Sequence, residues 1–209
     1  MKPPARRHAL ATRLWHWLNL ACIAVLVMSG LNISNAHPRL YWGHAGFAPD
    51  EAWFFVRHFP GWATIPGYYS LADARRWHFL AAWPFAFGLL AFMLASLLNR
   101  HFARDLVTRR AEWRWGAIRA DIVKHVRLDF VHEGTKFNFL QKLAYAIVIF
   151  LMLPLMIAIG LAMSPAMDAN LPWLIDLFGG RQSARSIHFV LAWGITGFVA
   201  LHILLVLLS

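Results

Sequence analysis

The sequence predicts an all-α integral membrane protein, a four-helix bundle with both termini on the cytoplasmic side. Three observations predict it. The 209 residues are 59% hydrophobic and only 14% charged, against about 45–50% and about 25% in a soluble domain. A soluble chain of this size would leave large apolar patches in water. Four stretches reach the roughly 20 apolar residues that cross a bilayer: residues 14–33, 77–98, 143–163 and 187–208, none holding Asp, Glu, Lys or Arg. The basic residues also segregate. The segment before the first span carries four and the loop 99–142 carries ten, whereas loops 34–76 and 164–186 carry four and two. Fourteen of twenty thus fall on one side, which the positive-inside rule makes the cytoplasm. The net charge of +10 is then a record of topology and not a nucleic-acid footprint.

Each element follows in order. The first span is too long an apolar run for a signal peptide and lacks a clean small-residue cleavage site. Pro84 and Pro154 lie inside spans two and three and predict kinks there. In the periplasmic loop 34–76, Pro49-Asp50-Glu51 opens a short helix that ends before Pro60. Trp53, Phe54, Phe55, Phe59 and Trp62 make that loop too aromatic to be free, and place it at the membrane interface or against a partner. In the cytoplasmic loop 99–142, Trp115, Ile118, Ile122, Val126 and Phe130 recur at three- and four-residue steps, with Arg119, Lys124 and Arg127 between them. That pattern reads either as an amphipathic helix on the anionic inner leaflet or as a solvated helix covering a partner. No internal repeat or low-complexity stretch divides the chain, so residues 1–209 read as one domain.

The single Cys excludes a disulfide framework, a Cys-ligated zinc site and an iron–sulfur cluster held by this chain's thiolates alone. Covalent c-type haem, which needs Cys-x-x-Cys-His, is excluded too. The chemistry falls to histidine. Of eleven His, four lie in or at the ends of spans: His16, His78, His188 and His202. Ionisable side chains inside a bilayer are costly and default to a functional reading.

Depth orders these four. His16 opens span one and His202 closes span four, both in the cytoplasmic half. His78 and His188 open spans two and four in the periplasmic half. His188 and His202 are fourteen residues apart, close to four whole turns, so they share one face about 21 Å apart along the axis. Two imidazoles facing each other between helices hold a six-coordinate b-type haem, with the porphyrin in an apolar slot and its propionates at the polar rim. The pattern therefore predicts two stacked haem b groups, ligated by His16 with His202 and by His78 with His188. Arg13 near the inner pair, and Arg75, Arg76 and Arg185 near the outer pair, are candidates to meet propionates. Gly194 and Gly197 would let a macrocycle or a neighbouring helix approach span four. Other readings of the four His are unconnected interhelical hydrogen bonds, zinc or copper sites, and a proton relay. Zinc or copper lacks a neighbouring carboxylate or thiolate, and a relay lacks an intramembrane Asp or Glu. His37, His44 and His58 read first as ordinary loop residues and second as part of a docking surface or a cap on the outer haem, and His8, His101, His125 and His132 sit among inner-face cations without a special role.

Beyond the His pattern, several runs match a known family. They are Arg13-Leu14-Trp15-His16-Trp17, residues 34–43 from Ser34 to Gly43, residues 140–145 and residues 178–189. With them the chain resembles the di-haem cytochrome b subunits of nickel–iron hydrogenase, formate dehydrogenase and thiosulfate reductase, within the bacterial cytochrome b561 superfamily. The resemblance covers essentially the whole chain and is strongest to the thiosulfate-reductase-type branch. It implies the same four axial ligands and a multi-pass protein of the bacterial inner membrane. It also implies a quinone site near the inner haem, beside His16, Asn19, Asn138, Gln141 and His202. The partner it implies is a periplasmic molybdopterin oxidoreductase.

The leading expectation is an electron conduit between the quinone pool and that periplasmic redox protein, docked on loop 34–76 and the segment around Arg181. Two alternatives stand beside it. One is a stand-alone quinone oxidoreductase acting on a small periplasmic molecule such as superoxide, drawn by Arg75, Arg76 and Arg185. The other is a haem-free membrane binding or transport protein.

Overall fold

The computed structural model describes residues 10–99, 106–127 and 137–208. The chain folds as two compact units, Met1–Trp42 with Gly46–Phe92, and Gly43–Ala45 with Met93–Ser209. Among the described residues, four helices are long and apolar enough to cross a membrane: Arg13–Ala36, Leu71–Leu98, Phe139–Ala162 and Arg181–Leu208. All four predicted spans are present, and each helix is longer than the shortest apolar run that would serve. Helix ends are set by capping and by Pro or Gly, not by where polarity begins.

The first unit is built on α1 (Leu10–Ala36) and α2 (Leu71–Leu98). They run antiparallel, because Trp15 meets Gly88 while Ser29 meets His78. Trp15 donates its Nε1–H to the Gly88 carbonyl at 2.9 Å and stacks on Phe92 with centroids 4.1 Å apart. Pro84 is accommodated within a continuous α2.

The loop between these helices is tied to the end of α1. Asn32, fully buried, donates to the Pro66 and Tyr68 carbonyls at 2.9 and 2.8 Å. Asn35 donates to the Phe59 carbonyl and accepts from the Phe59 N–H. Residues Pro49–Glu51 form one 3-10 turn, as their sequence predicts, but the helix ends there. Phe54–Phe55 (β2) instead pairs antiparallel with Arg39–Leu40 (β1). The run of aromatic side chains favours an extended backbone once it can pair.

The second unit holds the rest. Short helix α3 spans Trp115–Val126, and Phe130 lies outside the described residues. Its apolar side faces outward, with Trp115 76% and Val126 78% exposed. The side turned to the protein carries Ile118, Asp121 and His125, all half-buried; an Asp121 carboxylate oxygen accepts the Leu140 N–H at 2.9 Å. The third span comprises α4 (Phe139–Ile147), a π-helical turn at Val148–Met152, and α5 (Leu153–Ala162). The turn ends two residues before Pro154. A proline withholds the N–H that the preceding turn would accept, and a wider turn absorbs that loss.

Helices α6 (Pro165–Asn170) and α7 (Trp173–Leu177) lead to α8 (Arg181–Leu208). Ile159, Ala162, Ile175 and Ala184 form a small core among α5, α7 and α8. The start of α8 is capped from a distant part of the chain. The Gly43 carbonyl accepts the Gln182 and Ser183 N–H groups at 3.0 and 3.2 Å, and the Gly43 N–H donates to Ser183 Oγ at 2.7 Å. Gly179 and Gly180 have φ of +76° and +95°, the left-handed conformation that admits this turn.

Candidate functional site

Each span histidine takes its setting from its own unit. His78 stands seven residues into α2 and is half-buried against α1. Its Nδ1 lies 3.0 Å from Ser29 Oγ. A Cβ built on Gly30 would lie 3.8 Å from its Cε1, so the imidazole rests on bare backbone. His188 stands seven residues into α8 and packs the same way in the second unit. A Cβ on Gly160 of α5 would lie 3.7 Å from its Cε1. The two imidazoles read as outer ligands thus share one packing mode, each against a glycine of the preceding long helix of its unit.

The inner histidines are more open. His16 is exposed near the start of α1, edge-on to Trp17 at 6.0 Å. The Trp15 contacts to Gly88 and Phe92 hold that end of α1 against rotation. His202 is half-buried and stacks on Phe198 at 6.1 Å with an interplanar angle of 13°. His188 and His202 lie on one uninterrupted helix, as their spacing requires. Gly194 serves helix packing, since its Cβ would reach 3.0 Å from Met152 Cε, while a Cβ on Gly197 would meet nothing within 4 Å.

The remaining predicted residues divide by their engagements. Arg13, Arg75 and Arg76 are exposed. Arg76 pairs with Asp73 at 3.1 Å, and the Arg75 guanidinium lies 5.9 Å from the Phe79 ring centre. Arg185 is half-buried, three residues before His188 on α8. Asn19 is buried and donates back to the Trp15 carbonyl at 2.9 Å. Asn138 caps α4, and Gln141 Oε1 accepts its N–H at 3.2 Å as half of a capping box. Asn138 Nδ2 is buried without a hydrogen-bond partner. His44 faces Asp176 at 3.9 Å, a contact its neighbours in sequence do not announce, while His125 faces Asp121 at 3.4 Å, one turn earlier on α3. His8, His101 and His132 lie outside the described residues.

Three residues of the site carry no signal in the sequence: Ser29, Gly30 and Gly160. Small residues are common in membrane helices. Only the meeting of α1 with α2, and of α5 with α8, singles these out.

Among the described residues, no three His, Cys, Asp or Glu gather to hold a metal ion. Four membrane-length helices, three of them bearing the span imidazoles, define a class: a multi-pass helical membrane protein with histidines placed to hold iron through a macrocycle. The family model for prokaryotic cytochrome b561 matches residues 7–209, and the chain belongs to that family.

The chain is 28% identical to the putative protein-methionine-sulfoxide reductase subunit YedZ1 of Azospira oryzae, over 94% of this chain and 87% of that protein. It is 28% identical to the probable Ni/Fe-hydrogenase B-type cytochrome subunit of Cupriavidus necator, over 91% and 74% of the two chains. The protein of that description from Azotobacter chroococcum is 26% identical, over 92% and 76%. No solved structure matches the chain. The chain is a membrane b-type cytochrome of electron transfer. The donors present fit the haem this family implies, since His78 and His188 are each held by their own unit with small residues against the ring.

Proposed function

We propose that this chain is a di-haem cytochrome b that carries electrons between the quinone pool and a periplasmic redox protein, a molybdopterin oxidoreductase. It forms a single domain of the bacterial inner membrane with both termini in the cytoplasm. The observation that carries the reading is the placement of His188 and His202 fourteen residues apart on the unbroken helix α8. That spacing offers one axial ligand to each half of the bilayer from one helix face. His16 supplies the second ligand of the inner site and His78 that of the outer site, by their positions near the cytoplasmic and periplasmic ends of α1 and α2.

Haem bound at these sites supplies a one-electron iron couple. The chain's own residues do the rest. The four imidazoles hold the two irons, and Arg13, Arg75, Arg76 and Arg185 meet propionates at the rims. Quinone exchanges electrons near His16 and His202, where Asn19, Asn138 and Gln141 supply amides; the buried, unpaired Nδ2 of Asn138 supports a polar ligand there. Relatives named as subunits of a reductase and of a hydrogenase support an oxidoreductase partner. The exposed aromatic loop, with Phe47 88% and Trp62 83% exposed, is the docking surface for it. Helix α3 lies on the inner leaflet through its outward Trp115, Ile122 and Val126, with Arg119, Lys124 and Arg127 toward anionic headgroups.

The test is an optical spectrum of the purified, dithionite-reduced protein with pyridine-haemochrome quantification. Two non-covalent b haems per chain are expected. His202→Ala is expected to remove one haem and leave most of the other. A well-folded, colourless protein would return the histidines to helix packing and end the conduit reading.

A further inference from the structure

We propose that Ser29 is the positioning residue of the outer haem site: its hydroxyl fixes the tautomer of His78 so that Nε2 is presented to iron. The inference rests on the reading of His78 as an axial ligand. Ser29 is fully buried in α1. A serine hydroxyl has one proton to give and two lone pairs to accept with. Its oxygen lies 2.6 Å from the Val25 carbonyl and 3.2 Å from the Leu26 carbonyl. Both are pure acceptors, and the shorter contact takes the hydroxyl proton. Toward His78 Nδ1, at 3.0 Å, Ser29 Oγ can then only accept. Nδ1 must carry the ring proton.

The consequence is a defined ligand. A neutral imidazole protonated at Nδ1 has its lone pair on Nε2, the ring nitrogen that does not face Ser29. Donation of the Nδ1 proton also raises the basicity of the ligating nitrogen, the usual role of a group behind a metal-bound imidazole. Gly30, beside Ser29 in sequence, leaves the ring room to lie against α1 while it makes this bond. A serine can hydrogen-bond its own helix without any further function. That role requires no imidazole at 3.0 Å, and it predicts no effect on a haem.

The experiment compares wild type, Ser29→Ala and Ser29→Thr, each purified with its haem. Midpoint potentials come from optical redox titration and ligand fields from electron paramagnetic resonance. In Ser29→Ala, the expected result is an upward shift of one haem's potential with a change in its low-spin signal, the other haem staying at the wild-type value. Ser29→Thr, which keeps the hydroxyl, is expected to restore both. Loss of one haem in Ser29→Ala that Ser29→Thr recovers supports the same role. Unchanged potentials and signals in a haem-loaded Ser29→Ala protein overturn this inference and leave the ligand assignment standing. Absence of haem from the wild-type chain overturns the ligand assignment and takes this inference with it.

Discussion

Glu112→Gln should measurably destabilise the cytoplasmic end of the third span. Lys142 sits one turn into α4 and is buried, 7% exposed. Its ammonium meets Glu112 Oε1 at 2.7 Å, with side-chain exposures of 9% for the lysine and 23% for the glutamate. The other Glu112 oxygen accepts the Arg109 N–H at 2.6 Å. Glutamine keeps the shape and an acceptor but removes the charge opposite a nearly sealed ammonium. Breaking a fully buried pair costs about 3–5 kcal/mol, and an exposed pair is worth about 0–1 kcal/mol. One end here is sealed and the other partly open, so about 1–3 kcal/mol is expected. For a chain of this length each kcal/mol moves the melting temperature by about 2–4 °C, giving a fall of about 2–12 °C. Tryptophan fluorescence of the detergent-purified protein during heating reads it. Adding Lys142→Met should recover most of the loss, because the uncompensated charge is gone. An unchanged melting temperature in Glu112→Gln, or no recovery in the double variant, would refute the argument.

The same pair sets an acid sensitivity. Burial alone raises the Glu112 carboxyl, but the Lys142 hydrogen bond, the Arg109 N–H and the neighbouring cations outweigh it and hold the group below its ordinary 4.5. The folded value lies below the unfolded one, so this stabilisation is complete above about 4.5 and vanishes as pH falls through the lower folded value. Wild type and Glu112→Gln should therefore converge in melting temperature on acidification; a constant gap down to full protonation contradicts this. Gly180→Ala forces a side chain onto a φ of +95°, with its Cβ 2.8 Å from the backbone of Gly43 and His44. It should cost about 1–3 kcal/mol and speed hydrogen exchange at the Gln182 and Ser183 amides, whereas undisturbed exchange there would show that Gly43 does not cap α8. Asn32→Ala leaves the Tyr68 carbonyl without its buried donor and the Pro66 carbonyl with the Thr64 hydroxyl alone, a loss of about 1–3 kcal/mol. Limited proteolysis between Pro60 and Ser70 should accelerate, and wild-type cleavage rates would show the loop is held by other contacts.

The aromatic loop and helix α3 show where a local pattern stops being sufficient. Pro49-Asp50-Glu51 specifies a turn through proline geometry and early carboxylates, and that turn is present. Nothing local says that Phe54–Phe55 will find Arg39–Leu40; a strand depends on a partner elsewhere in the chain. For α3 the periodicity was legible, but not which face meets the protein. The Leu140 amide needs an acceptor at the start of α4, and Asp121 supplies it, so the side with Ile118, Asp121 and His125 turns inward while Trp115, Ile122 and Val126 turn outward. Asn138 and Gln141, read as amides for a ligand, also serve α4 as its cap, a role visible in their three-residue spacing.

The sequence by itself determined the four membrane-length helices, because the apolar length needed to cross a bilayer is a local property of the chain. It likewise determined the register of His188 and His202, since helix pitch is fixed wherever the helix runs unbroken. The tertiary structure decided how those helices are held and what stands behind each imidazole. Gly43 caps α8 across 140 residues, and Ser29 reaches His78 across 49. A hydrogen bond or a glycine contact at such separation depends on which helix faces meet, and no periodicity within one helix encodes that choice.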